Sequence, residues 1–258
     1  MTGLFSLDGK TALITGSSRG IGYAIALEMA RAGADVVISS RKQDACDEAA
    51  EQINALVGRP AATAFAASLS DRAAMTGLVG HATGRRGQID ILVCNAASNP
   101  YYGPMTEVPD AAFHKILENN VIANNWLVAQ AAPGMRANGG GAVIIVSSIG
   151  GLVGSPVIGA YNVSKAADMQ LARNLAVELG PDNIRVNCIA PGLIKTEFSR
   201  ALWENPETYD TFMRTTPLKR LGDPADIAGA AVFLAAPAGA FVTGQTIVAD
   251  GGTTIQGV

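Results

Sequence analysis

Thr11-Ala12-Leu13-Ile14-Thr15-Gly16-Ser17-Ser18-Arg19-Gly20-Ile21-Gly22 is the stretch that decides the fold. An apolar run ends at Thr15 and passes directly into Gly16, Gly20 and Gly22, with the amphipathic Ile21-Gly22-Tyr23-Ala24-Ile25-Ala26-Leu27 behind them. Strand, glycine turn and helix in that order let backbone amides approach a pyrophosphate, which the positive end of the helix then holds. A three-glycine turn alone is weak evidence, because an ordinary tight connection uses glycine too. Its weight comes from its place after the first strand and before a helix.

Downstream, short β-branched apolar runs alternate with longer Ala-rich segments, the pattern of a parallel sheet covered on both faces. The pattern predicts strands at 11–15, 35–39, 62–66, 89–94, 142–147, 185–189 and 245–248. Helices are expected at 20–32, 44–57, 71–85, 111–137, 160–179 and 225–235. Right-handed crossovers between such strands make a doubly wound, Rossmann-type α/β sheet of three layers, with its ligand site beyond the carboxyl ends of the strands. No repeat or linker interrupts the chain, so one domain spanning residues 1–258 is expected.

A net charge of −3, from 19 basic and 22 acidic residues, provides no basic field for a nucleic acid or an acidic membrane surface. Cys46, Cys94 and Cys188 lack CxxC or CxxH spacing and read as free thiols of a reducing compartment, with neither metal nor disulfide indicated. Met1 to Lys10 carries Asp8 and Lys10 and has no apolar run after a basic start, which points away from a signal peptide and toward the cytoplasm. The uncharged stretch 228–249 is broken by Pro237, Gly239, Thr243, Gly244 and Gln245, and reads as a buried helix, a turn and a strand rather than a membrane span.

The chemistry is carried by Tyr161-Asn162-Val163-Ser164-Lys165, with Ser148 thirteen residues before the tyrosine. Residues i and i+4 share a helix face, so a phenol and an ammonium are presented to one cleft. A phenol titrates near ~10 on its own, and a neighbouring cation lowers that value toward working pH. Singly, Tyr161 reads as a half-buried aromatic at a helix start, Lys165 as a solvated charge and Ser148 as a helix cap. Jointly they point to proton transfer at an oxygen, with the Ser148 hydroxyl placed to bond that oxygen as negative charge develops. A serine-hydrolase arrangement is excluded by the lack of a nucleophile elbow and of a histidine in context, His81 and His114 being the only two and reading as surface residues.

Together these motifs resemble the short-chain dehydrogenase/reductase family over nearly the whole chain. Gly-x-x-x-Gly-x-Gly is that family's form of the dinucleotide fingerprint, and Tyr-x-x-x-Lys with the upstream serine is its catalytic signature. The resemblance implies an oxidoreductase in which Asn120, within Phe113-His114-Lys115-Ile116-Leu117-Glu118-Asn119-Asn120-Val121, completes a tetrad and holds a water that resupplies the proton. The choice among Asn119, Asn120, Asn124 and Asn125 rests on register with Phe113. It also implies cofactor contacts from Gly16, Ser18, Arg19, Gly20, Ile21 and Gly22, from Asn95 in Cys94-Asn95-Ala96-Ala97, and from Tyr161 and Lys165. Pro191, Gly192, Ile194 and Thr196 match the family's nicotinamide-side segment. The stretches 99–103 and 187–196 are most similar to its NADP(H)-dependent carbonyl and retinol reductase branch. Where the family usually offers an aspartate to adenine, this chain has Ser68 followed by Leu69.

After the second strand comes Ile38-Ser39-Ser40-Arg41-Lys42. NAD-binding folds place an acid there, whereas a 2′-phosphate calls for hydroxyls and an arginine, so Ser40 and Arg41 predict NADP(H), with Arg19 as a second cation. Residues 197–217 have amphipathic spacing and read as a lid, with Phe198, Leu202 and Trp203 facing an apolar pocket whose opposite wall is Tyr101, Tyr102, Leu152, Ser155 and Leu193. Such a pocket fits an aromatic, alicyclic or longer-chain ketone and its secondary alcohol; a 3-oxoacyl thioester reductase and a non-catalytic dinucleotide-binding regulator are the competing readings. Small residues on the predicted helices, among them Ala166, Ala167, Ala172 and Ala176, together with the resemblance, imply a homotetramer.

Overall fold

Along β1 (Thr11–Thr15), Ala12 and Ile14 enter the apolar core on one side of the sheet and Leu13 enters the core on the other. This two-residue alternation, repeated at Val36, Val37 and Ile38 of β2 (Asp35–Ser39), is why the strands are apolar throughout: both faces are covered. The computed structural model describes residues 3–256, the side chains of Arg85 and Arg86 excepted; the outermost residues of the expected domain, 1–2 and 257–258, lie outside it.

The remaining strands are β3 (Ala62–Ala64), β4 (Ile91–Cys94), β5 (Gly141–Val146), β6 (Ile184–Pro191) and β7 (Thr246–Ala249). All seven lie in one parallel sheet of order β3-β2-β1-β4-β5-β6-β7. Helices α1 (Gly20–Arg31), α2 (Gln43–Val57) and α9 (Pro224–Ala235) contribute to the first core, where Ile25, Met29, Ile53 and Ile227 are buried. Helices α3 (Arg72–Arg86), α5 (Ala123–Ala137) and α6 (Gly159–Leu179) cover the other face with Leu78, Leu127, Met135 and Leu175. This is the doubly wound, three-layer architecture expected from the alternating pattern, and each of the seven expected strands is present within three residues at either end.

Two departures bear on the site. The helix expected over 111–137 is divided: α4 (Asp110–Leu117) runs into a π-helical turn, Glu118–Ile122, before α5 resumes. Such turns insert one residue into the hydrogen-bond ladder and are frequent at functional sites; this one contains Asn119 and Asn120. The stretch expected as a lid folds into two short helices, α7 (Arg200–Trp203) and α8 (Pro206–Thr215). Ala172 and Ala176 are buried in the core beneath α6, so of the four small residues expected at a subunit contact these two are unavailable to a partner.

Candidate active site

The strand order reverses between β1 and β4, and a crevice forms where the loops leaving these neighbours diverge. Asn95, just past β4, closes its floor: its side-chain amide donates to the Thr15 and Gly16 carbonyls at 2.9 and 3.0 Å. The Thr15 hydroxyl accepts from the backbone N–H groups of Asn95 and Ala96 at 3.0 and 3.1 Å. Ser17, which carried no assignment, braces the same turn by donating to the Ile14 carbonyl at 2.6 Å and accepting from Ser39 N–H at 3.0 Å.

The glycine turn fits a dinucleotide. Gly16 and Gly20 have φ of 64° and 61°, which a side chain rarely adopts, and a Cβ at Gly22 would sit 2.4 Å from the Gly16 carbonyl oxygen. The α1 N-terminus has no side-chain cap and no acidic residue in its first turn, so its free amides and positive dipole end face the crevice uncompensated. By contrast, α9 is closed by a reciprocal box in which Asp223 and Asp226 satisfy the first amides. Beyond β2, Ser40 is held by Cys46, whose sulfur lies 3.0 Å from the Ser40 amide nitrogen and 3.1 Å from its hydroxyl. Arg19 and Arg41 are exposed, and their side chains make no ion pair or hydrogen bond among the described residues. Ser68 and Leu69 follow β3, with the Ser68 hydroxyl 3.0 Å from that of Ser70.

At the carboxyl ends of β4 and β5 the expected catalytic residues come together. Tyr161 stands in the first turn of α6, half-buried, and its ring is 5.7 Å from the Lys165 ammonium. Ser148 follows β5; its hydroxyl accepts from Gly150 N–H at 3.0 Å, as a cap does, and lies on the Tyr161 side, where it favours the charged form of the phenol. Burial pushes the Tyr161 pKa above the usual phenol value; the Lys165 cation and the Ser148 hydroxyl pull it down without overcoming the burial. The simple expectation that the lysine brings the phenol toward neutrality is therefore corrected for the protein by itself, because loss of hydration outweighs one cation.

Lys165 is no solvated helix charge. It is 2% exposed, and its ammonium donates to the Val146 carbonyl and to Asp168, both at 2.9 Å. Asp168 and Asn124 received no role from sequence; the Asp168 carboxylate is fully buried and takes a second hydrogen bond from the Asn124 amide at 3.1 Å. The signal was present in the i,i+3 spacing from Lys165, but an acid there also describes any surface ion pair. Asn120 is 0% exposed and exchanges hydrogen bonds with the Ser98 backbone at 2.8 and 3.0 Å. Its amide also donates to Ser164 at 3.0 Å, and its backbone carbonyl accepts from Asn124 at 2.5 Å. Asn120, the asparagine expected from the register with Phe113, touches α6 through Ser164, and Asn124 touches it through Asp168.

Around this centre, Phe198 packs against Tyr161 with ring centroids 6.2 Å apart. Tyr102, Leu152 and Phe198 are exposed by 48%, 49% and 52%, which makes an apolar mouth rather than a closed cavity. Trp203 spends its indole N–H on the Thr196 carbonyl at 2.9 Å, and so ties α7 to the segment that follows β6. Tyr101 donates its hydroxyl to the Pro104 carbonyl, and Ser155 accepts from the amides of Val157 and Ile158; both brace their own loops. Leu202 and Leu193 are half-buried, Pro191 is the last residue of β6, and Ile194 is buried near Gly222. Among the described residues no helix is long and apolar enough to cross a membrane.

An open glycine cradle at the switch point, with a phenol, a hydroxyl and a buried ammonium beside it, defines a dinucleotide-dependent oxidoreductase site. Comparison with known proteins gives the family. Residues 16–254 match the family model described as Enoyl-(Acyl carrier protein) reductase. The chain is 44% identical over 254 residues to Dehydrogenase/reductase SDR family member 4 of Homo sapiens, covering 98% of this chain and 90% of the relative. Among solved structures it resembles a 7α-hydroxysteroid dehydrogenase complexed with NADH and 7-oxo glycochenodeoxycholic acid, with TM-score 0.92, 38% identity and 96% of each chain covered. It also resembles a gluconate 5-dehydrogenase of Burkholderia cenocepacia in complex with NADP and tartrate, with TM-score 0.93, 33% identity and 98% of each chain covered. The chain belongs to the short-chain dehydrogenase/reductase family.

Proposed function

We propose that this protein is an NADP(H)-dependent carbonyl reductase, acting reversibly on a ketone and its secondary alcohol. The observation that carries the reading is the meeting of Ser148, Tyr161 and the buried Lys165 beside the open α1 N-terminus. The nicotinamide, when bound, supplies or accepts the hydride. Gly16, Ser18, Arg19, Gly20, Ile21 and Gly22 would hold its pyrophosphate, Ser40 and Arg41 its 2′-phosphate, Ser68, Leu69 and Asn95 its adenine side, and Pro191, Gly192, Ile194 and Thr196 its nicotinamide side. Tyr161 gives its phenolic proton to the substrate oxygen in reduction and takes one back in oxidation. Ser148 donates to the same oxygen where negative charge grows. Lys165 keeps a cation beneath the phenol and has one of its three N–H donors left for the cofactor ribose, the other two being engaged. Asn120 joins the Lys165 side of the site to the Ser98 loop and holds the water through which the proton is resupplied.

The apolar mouth favours an alicyclic, aromatic or longer-chain ketone, in keeping with the 7-oxo bile acid held by one solved relative. Solved relatives carry NADH or NADP, so the phosphate preference rests on Ser40 and Arg41 with no acid at that place. The chain folds as one domain, α7 and α8 act as its lid over 197–217, and the enzyme works in the cytoplasm. It assembles as a homotetramer, to which the exposed Val163 and Val177 of α6 contribute; a monomeric mass by light scattering at micromolar concentration would rule that out.

The decisive experiment follows nicotinamide oxidation by the purified protein with NADPH or NADH across a panel of cyclic ketones, aromatic carbonyls and 3-oxoacyl thioesters. Turnover of free ketones with NADPH is the expected result. Activity confined to thioesters would replace the substrate class, the matched model being described by an acyl carrier protein reaction. Steady NADPH binding without turnover on any carbonyl would make the protein a binding regulator.

A further inference from the structure

Deep under the catalytic face lies a charge pair that the proton-transfer scheme does not require. Lys165 and Asp168 are 2% and 0% exposed, and Asn124, at 1%, braces the carboxylate. Removing two charges from water costs several kcal/mol per ion, which Coulomb attraction and hydrogen bonds only offset, so such a pair is weak evidence for a stabilising role. Its location is informative instead: the lysine is the cation under the reacting phenol, and the asparagine is bonded to the carbonyl of Asn120.

We propose that Asp168 is a positioning residue of the reaction: its carboxylate, braced by Asn124, keeps the Lys165 ammonium charged and pinned beneath Tyr161, and thereby sets the pH range in which the pair works. The inference rests on the acid/base reading of Tyr161 given above. An ammonium with this exposure, held only by the Val146 carbonyl, would lose its proton readily once its counter-ion was gone. The groups facing the pair are few. Cys94 comes from β4 and Cys188 from β6, both thiols pushed up by burial and so neutral; Tyr161 comes from α6, with Tyr102 beyond it. Arg173 reaches Cys188 from one turn farther along α6. The π-helical turn and α5 present only the amides of Asn120 and Asn124. Among the described residues Asp168 is thus the one carboxyl beside Lys165; burial raises its own pKa while Lys165 and the Asn124 amide pull it down, and it raises the Lys165 pKa against the burial that lowers it.

The test uses the intact protein carrying 13C-labelled lysine, in a Tyr161→Phe background so that the phenol does not titrate against the ammonium. The Lys165 resonance is the one absent from Lys165→Met. Asp168→Asn, which keeps shape and removes charge, is expected to move the Lys165 titration to lower pH by about 1–3 units. With Tyr161 restored, the alkaline limb of kcat/KM for reduction should move in the same direction. If Asp168→Asn lowers the melting temperature while both profiles stay at their wild-type positions, the pair is merely structural and the proposal is overturned. Should Asp168→Asn not fold, Asp168→Ser, which leaves room for a water, is measured in the same way; failure of both to fold would also assign the pair to stability alone. A Tyr161→Phe enzyme that still turns over would overturn the acid/base reading, and that outcome is read independently of the lysine titration.

Discussion

Replacing Arg41 tests the cofactor preference where the structure isolates it best. The Arg41 guanidinium is exposed and has no partner among the described residues, so its removal breaks nothing within the fold. Its neighbour Ser40 is held in place by Cys46, and the ends of β1 and β2 are adjacent through the Thr15–Ser39 register, which brings both residues to the glycine turn. A charge-assisted, bidentate bond to a 2′-phosphate contributes roughly 1.5–3 kcal/mol, about tenfold to a hundredfold in Kd. Exposure to solvent places Arg41→Ala toward the lower end and makes the loss shrink as salt rises. NAD(H), lacking the phosphate, should be nearly unaffected. Ser40→Asp adds a carboxylate that repels the phosphate and accepts from the NAD ribose hydroxyls, so Ser40→Asp with Arg41→Ala should invert the preference. Titration of each variant with NADPH and NADH by nicotinamide fluorescence gives Kd, and kcat/KM with either cofactor gives selectivity. A wild-type enzyme with higher kcat/KM for NADH than for NADPH would refute the reasoning at its premise.

Tyr161→Phe should lower kcat by about 100-fold to 10,000-fold with cofactor Kd nearly unchanged, since the ring against Phe198 remains; more than a tenth of wild-type activity would remove the proton-donor role. Lys165→Ala should damage both turnover and cofactor Kd, because that side chain serves phenol and ribose alike. Gly22→Ala drives a Cβ against the Gly16 carbonyl and is expected to cost about 1–3 kcal/mol by thermal melting, with weakened cofactor binding; an unchanged melting temperature would show that the turn yields freely. Asp223→Ala opens the α9 cap at a cost of about 0.5–2 kcal/mol, read by chemical denaturation. Hydrogen bonds from Arg220 and from the Asp223 backbone hold the Asp226 carboxyl below its usual pKa, so its small stabilisation is present above about pH 4 and lost as pH falls below that. Asp226→Asn should therefore flatten the acid side of the melting profile.

Local sequence determined a large part of this protein, because strands and glycine turns report themselves within a few residues. The limits of β1 and β2 at 11–15 and 35–39, the open turn at 16–22 and the i,i+4 pair at 161 and 165 follow from periodicity, φ requirements and helix geometry alone. Three matters were decided only by tertiary packing. Whether Lys165 is solvated or buried depends on what lies over α6, and that depends on β5 and β6 supplying Val146 and Cys188 from residues far away in sequence. The π-helical turn at 118–122 is invisible to a 3.6-residue period, since insertion of one residue changes phase without changing composition. The direction of the Tyr161 shift is likewise a tertiary property: spacing announces the neighbouring cation, but only the fold sets how much water the phenol loses, and here that loss is the larger effect.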